Sequence, residues 1–288
     1  MILFPADTLE RSEVERDYRL EFEGARAAGF ATALFDFDGL RRGEDLDRVL
    51  WRVPESLRGE ALIYRGWMLA APDYARLFHG LEARGWKMVN DTKAYRFGHH
   101  APENYAFWQQ WMPQTAWTTR EEFEHNGFAP IYEVLKAFGS SPVIVKDWVK
   151  SQKHRWDEAC FIPDASDEDE VRRVVSRFLE LQGEYLTGGL VFRRFETLRG
   201  DGAGQVFEWR SFWLDGRLLS LTPNLVREDE PDLETVADKA RECPSRFFTL
   251  DFSQKDTGEW VIIEMGDGGV SGLPSGVNID GWYRKLAI

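Results

Sequence analysis

The chain has 288 residues, of which 43% are hydrophobic, so it is long enough for one large domain or two ordinary ones. Acidic residues outnumber basic ones by 49 to 36, and the formal charge of -13 disfavours a nucleic-acid partner because the phosphate backbone would be repelled. Its two cysteines, Cys160 and Cys243, fit a reducing compartment. No apolar run reaches membrane-spanning length and the first residues lack a signal-peptide pattern, so we expect a cytoplasmic protein without a membrane partner.

The first hundred residues alternate between strand and helix patterns. Ile2 to Phe4 and residues 31–37 read as strands on either side of a helix at residues 10–28, which Gly29 ends. The stretch ALIYRGWML at residues 61–69 reads as another strand, followed by the helix PDYARLFHGLEARG. Strand–helix–strand units of these lengths predict a parallel sheet, and the absence of G-x-G-x-x-G argues against a dinucleotide site.

The second half has a different pattern. Residues 101–120 are aromatic and contain two prolines, Pro102 and Pro113, which predicts a connection between two lobes. One helix then follows, SDEDEVRRVVSRFLELQ, among strands that we read as PVIVKDW, EACFIPD, GGLVFRRFETL, EWRSFWLDGRLLSLT, RFFTLDFSQ and EWVIIEM. Turn residues separate these strands, and LDGR predicts a hairpin, so this half is α+β with antiparallel strands.

Two carboxylates stand on neighbouring predicted strands. Asp251 lies within FTLDFSQ and Glu264 ends VIIEM, so the two acids can face each other across a hairpin. Because like charges opposite each other destabilise a sheet, a Mg²⁺ ion between them is one resolution. The alternative, that they are solvated surface acids, stays open.

Basic residues follow the apolar strand PVIVK. Lys146 ends this strand, and Lys150 and Lys153 lie in the loop after it, where they either bind phosphates or form a solvated loop. Glu208 and Arg210 alternate along another strand and, taken alone, predict an ordinary cross-strand ion pair.

The order of these pieces resembles the ATP-grasp superfamily: the lysine strand PVIVK, a loop and helix, GGLVFRRF, E-W-R, an Asp-bearing strand and a Glu-ending strand before a small-residue loop. The resemblance implies an ATP-grasp domain at residues 115–288. It also implies that residues 1–114 form a small Rossmann-like pre-ATP-grasp domain, which makes the fold class α/β plus α+β. ATP and Mg²⁺ are the implied cofactors.

The resemblance also implies roles for single residues. Lys146, with Lys150 and Lys153, would contact the nucleotide phosphates, and Arg210 of the E-x-R pair would face the transferred phosphate, with Glu208 beside the nucleotide. Asp251 and Glu264 match the magnesium ligands. The adenine hinge falls on the last residues of the GGLVFRRF strand and the residue after it: Arg193, Arg194, Phe195 and Glu196.

The sequence departs from the common family pattern in several places. Glu264 is followed by Met265 and Gly266 instead of completing E-x-N, so we expect Asp267 to replace the asparagine as third metal ligand. The glycine-rich phosphate lid is missing, and arginines stand where hinge acids are usual. His99 and His100 lie nearest the place of a linker base that contacts phosphates, although a polar linker role fits them equally. These departures resemble a divergent clade with altered basic residues.

The resemblance implies an ATP-dependent carboxylate–amine ligase that forms a C–N bond through an acylphosphate and releases ADP. Arg210, Lys146 and Lys153 would stabilise the charge on the phosphoryl group as it moves. Two alternatives stay open: a nucleotide-binding regulatory module that has lost catalysis, and an ATP-dependent phosphotransferase.

Substrate residues are predicted from position. Arg65 sits where a strand of the open sheet ends, where an arginine can fork a carboxylate, although a surface salt bridge is an equal alternative. Ser271 lies in the small-residue loop that would let the acceptor approach the phosphate. The expected partners are a small-molecule or peptide carboxylate and an amine; relatives are often dimers, so a homodimer is an open expectation.

Overall fold

The computed structural model describes residues 1–225 and 229–286. The β-strands are β1 Ile2–Pro5, β2 Thr32–Phe35, β3 Ala61–Tyr64, β4 Lys87–Met88, β5 Thr115–Thr119, β6 Val143–Asp147, β7 Phe161–Ile162, β8 Gly189–Arg194, β9 Trp209–Leu214, β10 Arg217–Pro223, β11 Phe247–Gln254 and β12 Trp260–Asp267. The α-helices are α1 Arg19–Ala27, α2 Phe37–Arg41, α3 Leu46–Val49, α4 Ala71–Ala83, α5 Thr92–His99, α6 Ala101–Trp108, α7 Arg120–Asn126, α8 Ala129–Leu135, α9 Trp156–Ala159, α10 Glu168–Gln182, α11 Glu234–Ala240 and α12 Ile279–Lys285. Single 3₁₀ turns occupy Arg16–Tyr18, Lys136–Phe138, Lys153–Arg155 and Gly183–Tyr185. Within these residues, no helix combines the length and apolar character needed to cross a bilayer.

The chain forms two compact units, each built from separate segments. The first unit contains Met1–Gly98, Glu208–Asp251 and Gly266–Ile288, and the second contains His99–Phe207 and Phe252–Met265. Because these units are discontinuous, they do not follow the predicted division at residues 114 and 115. That division into family domains stays a prediction.

In the first unit, a parallel sheet has the strand order β2-β1-β3-β4, as the strand–helix–strand pattern predicted. Neighbouring residues of β1 point to opposite faces, so Leu3 packs in one apolar cluster and Phe4 in another. The helix predicted at residues 10–28 is shorter, because α1 begins at Arg19. Val14, which we placed in that helix, instead forms a β-bridge with Ala6.

In the second unit, an antiparallel sheet has the order β5-β8-β6-β7. Helix α10 covers it with buried residues such as Val174 and Phe178, as its amphipathic pattern predicted. Residues 101–120 are not a simple connection, because they form α6 and β5. Pro102 does not interrupt α6, since it lies in the first turn, where a missing N–H costs no helical hydrogen bond.

A third sheet has the order β10-β9-β11-β12. The predicted LDGR hairpin is confirmed: Asp215 and Gly216 adopt φ angles of 51° and 71°, which a tight two-residue turn between β9 and β10 requires. Strand β12 continues to Asp267, so the expectation that it ends at Glu264 is wrong.

Candidate functional site

Lys146 and Arg193 are two cationic side chains of the second unit whose fields meet the same acid. Lys146 lies on β6, is partly exposed, and donates from Nζ to the Val149 carbonyl at 3.3 Å. Burial lowers the pKa of Lys146 to about 8; the Glu264 carboxylate acts against this shift, and the positive charge of Arg193 adds to it.

Arg193 lies on β8, which pairs with β6, and is 9% exposed. Its guanidinium donates to the Thr115 hydroxyl at 3.2 Å and to the Ile263 carbonyl at 2.5 Å. Burial lowers the pKa of Arg193, and Glu264 again opposes the shift. Two cations of limited exposure thus share one carboxylate, which leaves a net positive charge that suits an anionic ligand.

Glu264 is exposed and lies in the middle of β12. Across residues 1–225 and 229–286, no hydrogen bond or ion pair involves its carboxylate. Its oxygens are therefore available to a metal cation or to a cationic group of a substrate.

The other predicted phosphate-binding lysines are exposed. Lys150 follows β6 in the loop, and Lys153 begins a 3₁₀ turn. Long flexible side chains of this kind can reach a phosphate without being fixed in advance. Their predicted contact with ATP stays a prediction.

The predicted adenine hinge has mixed surroundings. Arg194 donates to the Gln114 side-chain oxygen at 2.7 Å, and Glu196 lies 3.5 Å from the Lys255 ammonium. Phe195 packs edge-on against Phe161, with ring centroids 5.1 Å apart. This aromatic pair offers an apolar surface of the kind that a base requires.

In the first unit, Arg210 and Asp251 form a bidentate ion pair, with N–O distances of 2.8 and 2.6 Å. Arg210 also donates to the Gly272 carbonyl at 3.2 Å, which ties β9 to the small-residue loop. Asp251 is 4% exposed. The E-x-R arginine therefore binds the carboxylate that we predicted as a metal ligand. The backbone N–H of Glu208 donates to the Asn224 side chain at 3.0 Å.

Arg65 is a buried residue of the first unit, with 1% exposure. Nε and Nη2 donate to the two carboxylate oxygens of Glu21 at 2.9 and 2.8 Å, and Nη1 donates to the carbonyls of Gly268 and Ser271. Because all three nitrogens are engaged and solvent does not reach them, this geometry argues against the predicted substrate contact. The alternative of a surface salt bridge is also wrong, since the pair is buried.

Asp267 is also buried, with 2% exposure. Its carboxylate accepts from Asn90 Nδ2 at 2.6 Å and from the Gly269 N–H at 2.8 Å, beside a small cavity of about 10 Å³. Burial raises the pKa of Asp267 to about 6, although these hydrogen bonds oppose the shift. Nearby, the Ser271 hydroxyl is 2.8 Å from that of Thr249.

Within the described part of the chain, no three or more His, Cys, Asp or Glu side chains are grouped closely enough to hold a metal ion. Asp251, Glu264 and Asp267 therefore do not form a ready-made site of three acids. Mg²⁺ usually takes only one or two protein carboxylates and completes its shell with water and substrate phosphates. Glu264, whose oxygens are unengaged, fits that requirement best.

The two linker histidines are partly exposed. His99 ends α5, and His100 precedes α6 with its ring 5.6 Å from that of Trp148. His100 Nδ1 is 3.3 Å from the Glu103 carboxylate. Their predicted contact with phosphates stays a prediction.

The family assignment comes from the sequence of the second half. A family model for an ATP-grasp domain, the third family of its clade, matches residues 137–286, just over half of the chain. The chain belongs to this ATP-grasp family. The prediction of the ATP-grasp superfamily is therefore confirmed, and no curated protein matches the chain significantly.

Solved structures share the fold over nearly the whole chain. The D-cycloserine synthetase DcsG has a TM-score of 0.60 at 14% identity, covering 99% of this chain and 98% of its own. An ATP-grasp RimK domain protein from Sphaerobacter thermophilus has a TM-score of 0.59 at 17% identity, with coverages of 99% and 98%. The ATP-grasp ligase PsnB, solved with a minimal precursor, has a TM-score of 0.55 at 13% identity, with coverages of 99% and 97%. At these identities the likeness shows the ATP-grasp fold and nothing finer.

Three buried polar residues escaped the sequence analysis: Glu21, Asn90 and Asp147. Asp147 had a visible signal, since it is an acid placed directly after the lysine strand and before a run of basic residues. Glu21 lies in a helix with other acids on both sides, so no pattern distinguishes it.

Proposed function

We propose that the protein is an ATP-dependent ligase that joins a carboxylate to an amine and releases ADP and phosphate. The supporting observation is the group formed by Lys146, Arg193 and Glu264 in an ATP-grasp chain. Two cations that both lose solvation and repel each other are destabilising unless an anion joins them. A nucleotide phosphate supplies that anion.

The reaction has two steps with balanced bonds. An oxygen of the substrate carboxylate attacks the γ-phosphorus of ATP, the bond to the β–γ bridging oxygen breaks, and ADP leaves. The amine nitrogen then attacks the acyl carbon of the acylphosphate, the C–O bond to phosphate breaks, and the amine loses its proton. In this scheme Lys146 and Arg193 bind phosphate oxygens, while Lys153 and Arg210 stabilise the charge on the phosphoryl group.

Glu264 and Asp251 are the acids that we assign to Mg²⁺, which when bound would neutralise charge on the β and γ phosphates. Glu264 needs no rearrangement for this role, whereas Asp251 must share its oxygens with Arg210. We assign Asp267 to holding the loop after β12, because Asn90 and Gly269 already bind its oxygens.

The substrates of structural neighbours suggest which carboxylates to test. One neighbour is a D-cycloserine synthetase, and PsnB and MdnC were solved with precursor peptides. A panel should therefore contain free amino acids and acidic peptides, each with and without an amine acceptor.

The test measures ADP release and hydroxamate formation when the purified protein meets ATP, Mg²⁺, hydroxylamine and each carboxylate. We expect ADP and a hydroxamate with at least one member of the panel, and loss of both in Lys146→Met. Lys136→Met is the matched control, because the Lys136 side chain is 72% exposed and pairs only with Glu133 on the surface of the same unit. ATP binding without turnover across the panel would support the inactive nucleotide-binding module, and a phosphorylated product would support the phosphotransferase.

A further inference from the structure

The loop after the lysine strand is fixed by a buried carboxylate. Asp147 ends β6 and is 1% exposed. Its Oδ1 accepts hydrogen bonds from the backbone N–H groups of Val149, at 2.6 Å, and Lys150. Its Oδ2 accepts from Gln182 Nε2 at 2.8 Å and from the Thr187 N–H at 3.3 Å. Four donors thus meet one buried anion, which offsets the cost of removing it from water.

The loop makes further contacts that depend on this arrangement. The Asp147 N–H donates to the Lys150 carbonyl at 2.9 Å, which closes a tight turn. That turn directs the Val149 carbonyl to Lys146 Nζ. Gln182, the last residue of α10, also accepts from Gln152 Nε2 at 2.8 Å and so ties both ends of the loop to one helix.

Trp148 fixes the opposite side of the same turn. A Cβ atom at Gly188 would lie only 2.2 Å from its indole, and Gly188 has a φ of +71°. The backbone of residue 188 therefore sits directly against this ring. The loop is built as a rigid turn rather than as a flexible glycine-rich cover.

We propose that Asp147 is a positioning residue for nucleotide binding: it holds the turn so that Lys146 and Lys150 meet the phosphates without a closing step. This inference rests on the proposed function, since it requires ATP to bind at Lys146. The carboxylate itself touches no nucleotide in this role, because its oxygens are already engaged by four donors.

Electrostatics alone predicts the opposite effect of a mutation. Asp147 is an anion next to a phosphate-binding lysine, so Asp147→Asn would strengthen the binding of ATP if charge were the whole contribution. Positioning predicts weaker binding, because an asparagine amide would place a second donor against Gln182 and the Thr187 N–H.

The experiment compares the affinities of a non-hydrolysable ATP analogue and of adenosine, by calorimetry below the unfolding temperature. We expect Asp147→Asn to weaken the analogue about tenfold, the effect of losing one charge-assisted hydrogen bond, and adenosine less than about twofold. Hydrogen exchange at the Val149 and Lys150 amides should speed up in the same variant. Unchanged or tighter binding of the analogue, or an equal loss for adenosine, would overturn the inference.

A compensating pair tests the geometry directly. In Asp147→Asn/Gln182→Glu the asparagine amide donates to the new carboxylate, which still accepts from Gln152, so we expect most of the analogue affinity to return. If it does not return although amide protection does, the turn does not control binding.

Two further variants cover the case in which Asp147→Asn does not fold. Gln182→Met removes one anchor and should weaken the analogue selectively, to a smaller degree; equal effects on analogue and adenosine would refute the idea. Val174→Ala, a core change in the same helix, is the control for general destabilisation and should spare both affinities. If the wild-type protein binds no ATP analogue, the proposed function itself fails, which is a different outcome from wild-type binding that Asp147→Asn leaves intact.

Discussion

Replacing Lys146 by Met should stabilise the protein while it removes ATP binding. The pKa of Lys146 falls from 10.5 to about 8 in the folded chain, a difference of about 2.5 units. At about 1.36 kcal/mol per unit, the charged form costs at most about 3 kcal/mol on folding. Because the side chain is partly exposed and solvent screens it, we expect a gain of about 1–2 kcal/mol at pH 7. Methionine keeps a similar length without the charge.

The sign of the pH dependence follows from the same shift. Below pH 8 Lys146 is charged in both states, and the folded state carries the full cost. Between pH 8 and pH 10.5 the unfolded chain binds more protons, so the stability of the wild-type protein rises with pH relative to the variant. Urea unfolding at pH 7 and pH 10 should therefore show a large gain for Lys146→Met at the lower pH and a small one at the higher. A less stable variant, or a gain independent of pH, would refute the reasoning; Lys136→Met should change neither value.

Three further changes test other parts of the fold. Arg65→Met should destabilise the chain by about 3–5 kcal/mol in urea, because it strands the buried Glu21 carboxylate; a loss below about 1 kcal/mol would contradict this assignment. Asp267→Asn should remove a pH dependence: with its pKa raised from 3.8 to about 6, the wild-type carboxylate lowers stability by about 3 kcal/mol as pH rises through that range, so the difference between the two proteins should change by that amount between pH 3.5 and pH 6.5. Equal pH profiles would show that Asp267 keeps an ordinary pKa. Gly188→Ala should cost at least about 1 kcal/mol in thermal unfolding, since it meets both a positive φ and the Trp148 ring, whereas Gly127→Ala has the strained φ without a neighbour and should cost less.

The sequence predicted the ATP-grasp superfamily because that assignment depends on the order of strands and on polar residues at their ends. Lys146, Arg193 and Glu264 are all visible in this way, since each interrupts an apolar strand pattern. Their shared electrostatics was not visible, because it depends on which strands pair: β6 lies beside β8 although about forty residues separate them.

Burial was harder to predict than strand order. Arg65 looked like a substrate contact because it ends a strand, but its partner Glu21 is 44 positions away and Trp282 packs over its guanidinium from the other end of the chain. Local sequence contains no trace of such a pairing. The end of β12 was misplaced for a related reason, since Gly266 and the buried Asp267 extend the strand beyond residues that look like a loop.

The discontinuous first unit has a consequence for synthesis on the ribosome. Its apolar cluster around Phe4 includes Trp282 and Tyr283, and the Tyr283 hydroxyl donates to Glu21 at 2.7 Å. The β1 side of that cluster is translated early, but the residues that cover it emerge last. A nascent chain therefore exposes this apolar surface until translation is almost finished, and a product truncated before α12 would be a target for chaperones and proteases.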